Sequence, residues 1–286
     1  MFHKIKFSLL LISLFSLSFI ACNNEVQNNT ETTPVEVETK EKEIEKPRMK
    51  ISEMSYQQAS ENMLRDLKDG KDVNEYAEKF AAANLEQLAA EINTDDKKKA
   101  FWINLYNAYI QKLLVENPSL YDDRNDFFGE DRFIIAGKEI SFDKVEHGII
   151  RSSTMKLSGG FLGEIFVGGY EKKLRTDEVD PRIHFAVNCG AKDCPQVHIL
   201  SPDTVNAELD KMTQNYLNKV AEYDATTNIA KTTSLMSWFR GDWGGKDGVV
   251  DFLKKYDIVP ATATDVELKF KDYDWTLNTG MYAEEV

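Results

Sequence analysis

Apolar positions recur at helical spacing from Ile51 to Pro118. Ser55 to Asp69 carries Met63, Leu64 and Leu67 on one side and stops at Gly70, and shorter helical patterns follow at Tyr76–Ala83 and Leu85–Ile92. Thr94 then caps a long helix from about Lys97 to Glu116, closed by Pro118. Its middle, Ala100 to Ile110, is apolar around nearly its whole circumference, which predicts a central, buried helix. Phe133 to Ile140 reads as a hairpin turning at Gly137, and Ser141 caps a helix to about Arg151. Five glycines between Gly159 and Gly169 predict a loop, possible as a lid. β-Branched and aromatic residues at 183–189 predict a strand, with His184, Ala186 and Asn188 on one face. Ser201-Pro202-Asp203 starts a further helix. Thr226–Phe239 reads as a strand, Gly248–Tyr256 as a helix and Val266–Tyr273 as a strand. The expected class is α+β: one domain over residues 49–286, its helical N-terminal half packed on a small, mainly antiparallel sheet.

The N-terminus departs from this pattern. Lys4 and Lys6 precede an apolar run, Phe7–Ile20, that is too short to span a bilayer and fits a signal-peptide core. Phe19-Ile20-Ala21-Cys22 resembles a bacterial lipoprotein processing site, which implies a signal peptide over residues 1–21 and a lipidated Cys22. Asn23 stands where an Asp would favour retention at the inner membrane, so the expected address is the cell envelope at the outer membrane. Residues 22–48 lack any aromatic and are rich in Asn, Glu, Thr and Lys, which predicts a disordered tether reaching roughly 25–30 Å. Net charge over the 286 residues is −13. Residues 1–21 contribute two lysines and no acid, so the remainder carries −15. That surface repels phosphate backbones and argues against a nucleic-acid partner. No zinc-finger, Walker or dinucleotide-binding spacing is present, and no cofactor is expected.

Asn104, Asn107 and Gln111 form one polar stripe on the buried helix. Buried amides need partners, either neighbouring backbone carbonyls or a site that the stripe borders. His147 and Arg151, four residues apart, share a helix face and suit the orientation of a carboxylate or an oxyanion. The stretch Asp180–Pro195 holds His184, Asn188, Cys189 and Cys194.

Four segments together resemble the family called domain of unknown function 547. They are Phe101–Ala108, His147–Arg151, Asp180–Pro195 and Tyr273–Asn278. Lys192-Asp193-Cys194 departs from the family pattern, which has a Ser just before the cysteine. The resemblance implies an uncharacterised domain, often found on exported bacterial proteins, and no established reaction.

Three accounts of the cysteines stay open. In an oxidising compartment Cys189 and Cys194 would form a short-loop disulfide. Alternatively Cys189 or Cys194 is a nucleophile, with His147 or His184 as base, Asn188 or Asp180 as orienter, and the backbone N–H groups of Gly190–Cys194 as an oxyanion hole. That chemistry would be papain-like or transglutaminase-like, although in those folds the cysteine opens the central helix and the histidine follows. Thirdly, His184, Cys189, Cys194 and His198 have the ligand types of a tetrahedral zinc site, in a spacing that matches no common knuckle. A site of His147, Arg151, His184 and carboxylates without cysteine is the remaining possibility. The functional expectation is a membrane-anchored lipoprotein acting as a thiol-dependent amide hydrolase or acyl transferase on peptide or cell-wall material. The alternative is a non-catalytic binding module for an envelope partner.

Overall fold

A computed structural model describes residues 49–284. The expected signal peptide, Cys22 and the expected tether lie outside the described residues. The architecture is α+β, with helices predominating and two small sheets. Among the described residues no helix is long and apolar enough to cross a membrane.

Helix α1 (Tyr56–Lys68) begins with a reciprocal capping box between Ser55 and Gln58. Helices α2 (Asn74–Ala81) and α3 (Leu85–Glu91) follow. The long α4 (Asp95–Glu116) is capped by Thr94, with Asp95 and Asp96 complementing its N-terminal dipole. Every residue from Lys98 to Gln111 is buried, and α1 packs along this helix. The larger apolar core forms around it. Helix α5 (Arg124–Gly129) leads to the hairpin β1 (Phe133–Ile135) and β2 (Lys138–Ile140), which turns at Ala136-Gly137 as the sequence predicts.

A π-helix (Lys144–Ile150) follows Ser141, and α6 (Gly169–Leu174) comes after the glycine-rich loop. Helix α7 (Val205–Val220) starts later than expected, because Ser201–Thr204 close a turn through Thr204 N–H to Ser201 O. In the second sheet β3 (Glu222–Asp224) pairs antiparallel with β4 (Ile229–Thr233), and β4 pairs parallel with β5 (Glu267–Lys271). The strand expected over 226–239 is shorter: β4 stops at Thr233 and the short helix α8 (Leu235–Trp238) takes the rest. Helix α9 (Lys246–Lys255) lies between β4 and β5 in sequence. A second core joins α7, α8, α9 and this sheet.

The strand expected at 183–189 is not a strand. Pro181–Phe185 form one 3₁₀ turn, with Asp180 accepting the Arg182 N–H and Pro181 at its first position. Cap and proline outweigh the β-branched run. Ile183 enters the larger core and Phe185 the smaller one. The turn therefore rivets the two cores together and holds His184 between them.

Candidate functional site

The amide stripe of α4 holds the neighbouring loop segments in place. Asn104 donates to Leu200 O at 2.8 Å and accepts Leu200 N–H at 2.9 Å. Asn107 does the same for Ala186 O and Asn188 N–H, at 2.9 and 2.8 Å. Gln111 donates to Asn188 Oδ1 at 3.3 Å, and its Oε1 accepts the Gly280 N–H at 2.7 Å. The stripe thus serves loop backbone in place of strand partners.

The π-helix supplies the next layer. Its wide turn is closed by Arg151 N–H to Glu146 O at 2.9 Å. At Gly148 a Cβ would lie 3.1 Å from the Glu171 carboxyl carbon, so only glycine allows that carboxylate so close. Ser152 and Ser153 leave the helix at φ 50° and 61°, a strained pair for residues with side chains.

A cleft of about 490 Å³ opens above these elements. Tyr106 of α4, His147 of the π-helix, His184 of the 3₁₀ turn and Cys189 and Cys194 all line it. Behind it lies a charged cluster. Arg151, fully buried, donates Nε and Nη2 to Asp242 Oδ2 and Oδ1 at 2.7 and 2.8 Å. His184 Nε2 donates to Asp242 Oδ2 at 2.7 Å. Arg151 Nη1 donates to His147 Nδ1, also at 2.7 Å. The Phe239 ring stacks on His184 at 4.3 Å, and the Arg151 guanidinium sits 4.6 Å from its centroid.

Burial alone would raise the Asp242 carboxyl, but hydrogen bonds from His184 and Arg151 outweigh it and hold the group below its ordinary value. Burial pushes the His184 imidazole down, and the Asp242 carboxylate only partly opposes it. These contacts fix both rings. Arginine has no acceptor, so His147 Nδ1 carries the lone pair and Nε2 the proton, facing Asp143 Oδ1 at 3.6 Å. For Asp143 too, burial would raise the carboxyl, but hydrogen bonds from His147 and Lys156 bring it below its ordinary value. An ionised Asp242 accepts only, so His184 Nε2 is protonated and Nδ1 is a free lone pair with no hydrogen bond among the described residues.

Cys189 and Cys194 form a disulfide. The Tyr273 hydroxyl donates to Cys194 Sγ at 3.3 Å and lies 3.8 Å from Cys189 Sγ. Four of the five N–H groups of the Gly190–Cys194 loop are already engaged. Gly190 donates to Asn188 Oδ1, Lys192 to Thr276 O, Asp193 to Asp274 O and Cys194 to Ala191 O. The expected oxyanion hole is therefore not formed by those four donors. Asp193, where the resemblance led to the expectation of a Ser, accepts the Asp274 N–H at 2.8 Å and ties down the C-terminal segment.

Other expected residues fall elsewhere. Asn188 is buried beneath the loop, donating to Pro195 O at 2.7 Å, and does not orient a histidine. Asp180 pairs with Arg182 and Lys99, not with Arg151. His198 lines a separate cavity beside Lys68 and Lys211. With His184 engaged by Asp242, the four expected zinc ligands do not assemble, and no group of three metal-binding side chains exists among the described residues. Sequence reasoning missed Asp242. It sits in Gly241-Asp242-Trp243-Gly244-Gly245, where an acid between glycines after an aromatic pair was the available signal.

No curated protein and no solved structure matches this chain. A family model described as protein of unknown function, DUF547, matches residues 90–217. That range includes His147, Arg151, His184 and both cysteines, while Asp242 and Tyr273 lie beyond it. The segment similar to that family supplies most of the residues that line the cleft.

Proposed function

We propose that this chain is a lipid-anchored envelope protein whose cleft hydrolyses an acyl bond, with His184 as general base and Asp242 as the group that orients it. The observation that carries the reading is the state of one ring. His184 lines the cleft, its Nε2–H is held by Asp242, and its Nδ1 is left as an unpartnered base. A neutral imidazole in a fixed tautomer beside a carboxylate is the base-and-orienter half of a nucleophilic triad. His147, held by Arg151 with its Nε2–H toward Asp143, lines the same space.

The disulfide decides what attacks. While Cys189 and Cys194 are joined neither sulfur is a nucleophile, and the proton that His184 takes comes from water. A dithiol reductant would convert the bridge to two thiols and itself become a disulfide. One thiol would then attack, in the thiol-dependent route on peptide or cell-wall amides. The position of the bridge on the cleft wall favours this second route. The anchor rests on Lys4, Lys6, the apolar run Phe7–Ile20 and Cys22. Incorporation of labelled palmitate, lost in Cys22→Ala, tests it.

Turnover of p-nitrophenyl acetate tests the catalytic reading. Removing a general base costs about 10²–10⁴-fold, so His184→Ala should fall by at least the lower figure. Asp242→Asn should lose most of the rate as well. Stimulation by dithiothreitol selects the thiol route, and indifference selects water. A wild-type rate equal to that of His184→Ala, with and without reductant, removes catalysis and leaves a binding module for an envelope partner.

A further inference from the structure

The glycine-rich loop after the π-helix presents apolar side chains to solvent. Leu157 is 96% exposed, Ile165 87% and Phe166 94%, with Phe161 and Leu162 also largely uncovered. Contiguous exposure of this kind marks an interaction surface. The loop is nevertheless built. Met155 N–H donates to Leu162 O at 2.8 Å, Glu164 N–H to Ser153 O at 2.7 Å, and Gly241 N–H to Gly159 O at 2.7 Å. At Gly160, φ is +93° and a Cβ would stand 2.3 Å from Asp242 Oδ1. Gly159 and Gly160 thus seat the loop directly against the turn that carries Asp242, and Lys156 and Leu157 reach the cleft itself.

We infer that this loop inserts its apolar tip into the surface of the bilayer that holds the protein. The inference rests on the lipid-anchor reading of Cys22. The 26 residues from Asn23 to Arg48 cap the distance between anchor and domain. Even fully extended they span no more than about 90 Å, so the domain is confined to the vicinity of the membrane. Charge agrees with this occupant. Between Met155 and Gly168 the loop holds one basic and one acidic residue, Lys156 and Glu164, and so carries no net charge in a chain whose net charge is −13. An aromatic-tipped apolar loop without net charge suits the interfacial zone of a membrane. Docked in this way, the cleft mouth beside Lys156 and Leu157 would open close to the head groups.

The test uses the chain from Asn23 to Val286, made without signal peptide or lipid. It retains all the residues of both apolar cores. It is sedimented with vesicles of phosphatidylethanolamine and phosphatidylglycerol. Wild type is expected to co-sediment, and the double variant Leu157→Ser/Phe166→Ser to partition about 10-fold less or weaker still. Leu157→Met/Phe166→Leu should bind as wild type does, which separates apolarity from folding. Wild type remaining in the supernatant, or equal partition of the serine variant, overturns the inference. Palmitate labelling of Cys22 in the full chain is read separately. Labelling without vesicle binding rejects the loop alone, and vesicle binding without labelling rejects the anchor alone.

Discussion

Arg151 and Asp242 are both shielded from water, and each is the other's principal counter-charge. Such a pair contributes little net stability, but losing one member leaves an uncompensated buried charge. Asp242→Ala should therefore destabilise the protein by about 3–5 kcal/mol in urea denaturation, by the usual size of such losses. An unchanged midpoint would show that Arg151 finds another acceptor. His147 and Arg151 were legible as a pair, because four residues on a helix place two side chains together, and they do touch. Asp242 was not legible as their partner, since 91 positions separate it from Arg151 and no local rule brings the two together. Asp180 illustrates the converse: close in sequence to His184, it is occupied by its near neighbour Arg182.

At the scale of elements, α4 acts as a template for chain that has no regular structure. Asn107 replaces strand hydrogen bonds for Ala186 and Asn188, so the segment carrying His184 and the disulfide keeps its place without a sheet. Removing that side chain leaves two buried backbone groups unpaired, each worth about 1–3 kcal/mol. Asn107→Ala should lower stability by a few kcal/mol on that basis, and Asn107→Asp should restore only the acceptor half. A loss confined to a few tenths of a kcal/mol would mean that water substitutes for the amide. The buried amide stripe itself was visible in the 3.6-residue period. The expected strand at 183–189 failed because side-chain pattern does not report which backbone partners exist, while the Asp180-Pro181 cap acts locally.

Over the whole molecule, buried titrating groups link stability to pH. His184 has its folded value below the ordinary 6.5, chiefly through burial. Between those two values the unfolded chain binds more protons, so stability rises with pH. The contribution is complete above about pH 6.5 and is lost as pH falls toward the folded value. His198 acts in the same direction, also through burial, with Lys211 and Lys68 adding to it. Asp242 and Asp143, held below the ordinary 3.8 despite burial, withdraw their contributions only in stronger acid. Urea midpoints should fall from pH 7 to pH 5, and His184→Gln should flatten part of that slope. A wild-type midpoint that does not move over this range would show that His184 titrates alike in both states. The same neutral ring keeps its base available below pH 6.5, so any hydrolytic rate should persist there.

The sequence by itself determined the α+β class, the N-terminal helices, the hairpin and a buried amide-bearing helix. These follow from periodicity, caps and turns, which act over a few residues. It also singled out His147, Arg151, His184 and the cysteine pair as chemistry-bearing positions. Only tertiary structure decided that both histidines share one cleft and that Asp242 joins them to Arg151. Only tertiary structure, too, showed that four of the loop amides are spent and that Gly160 of the apolar loop is pinned against Asp242. Each of these is a contact between segments whose meeting depends on how two cores pack around one 3₁₀ turn, and packing is a property of the assembled chain.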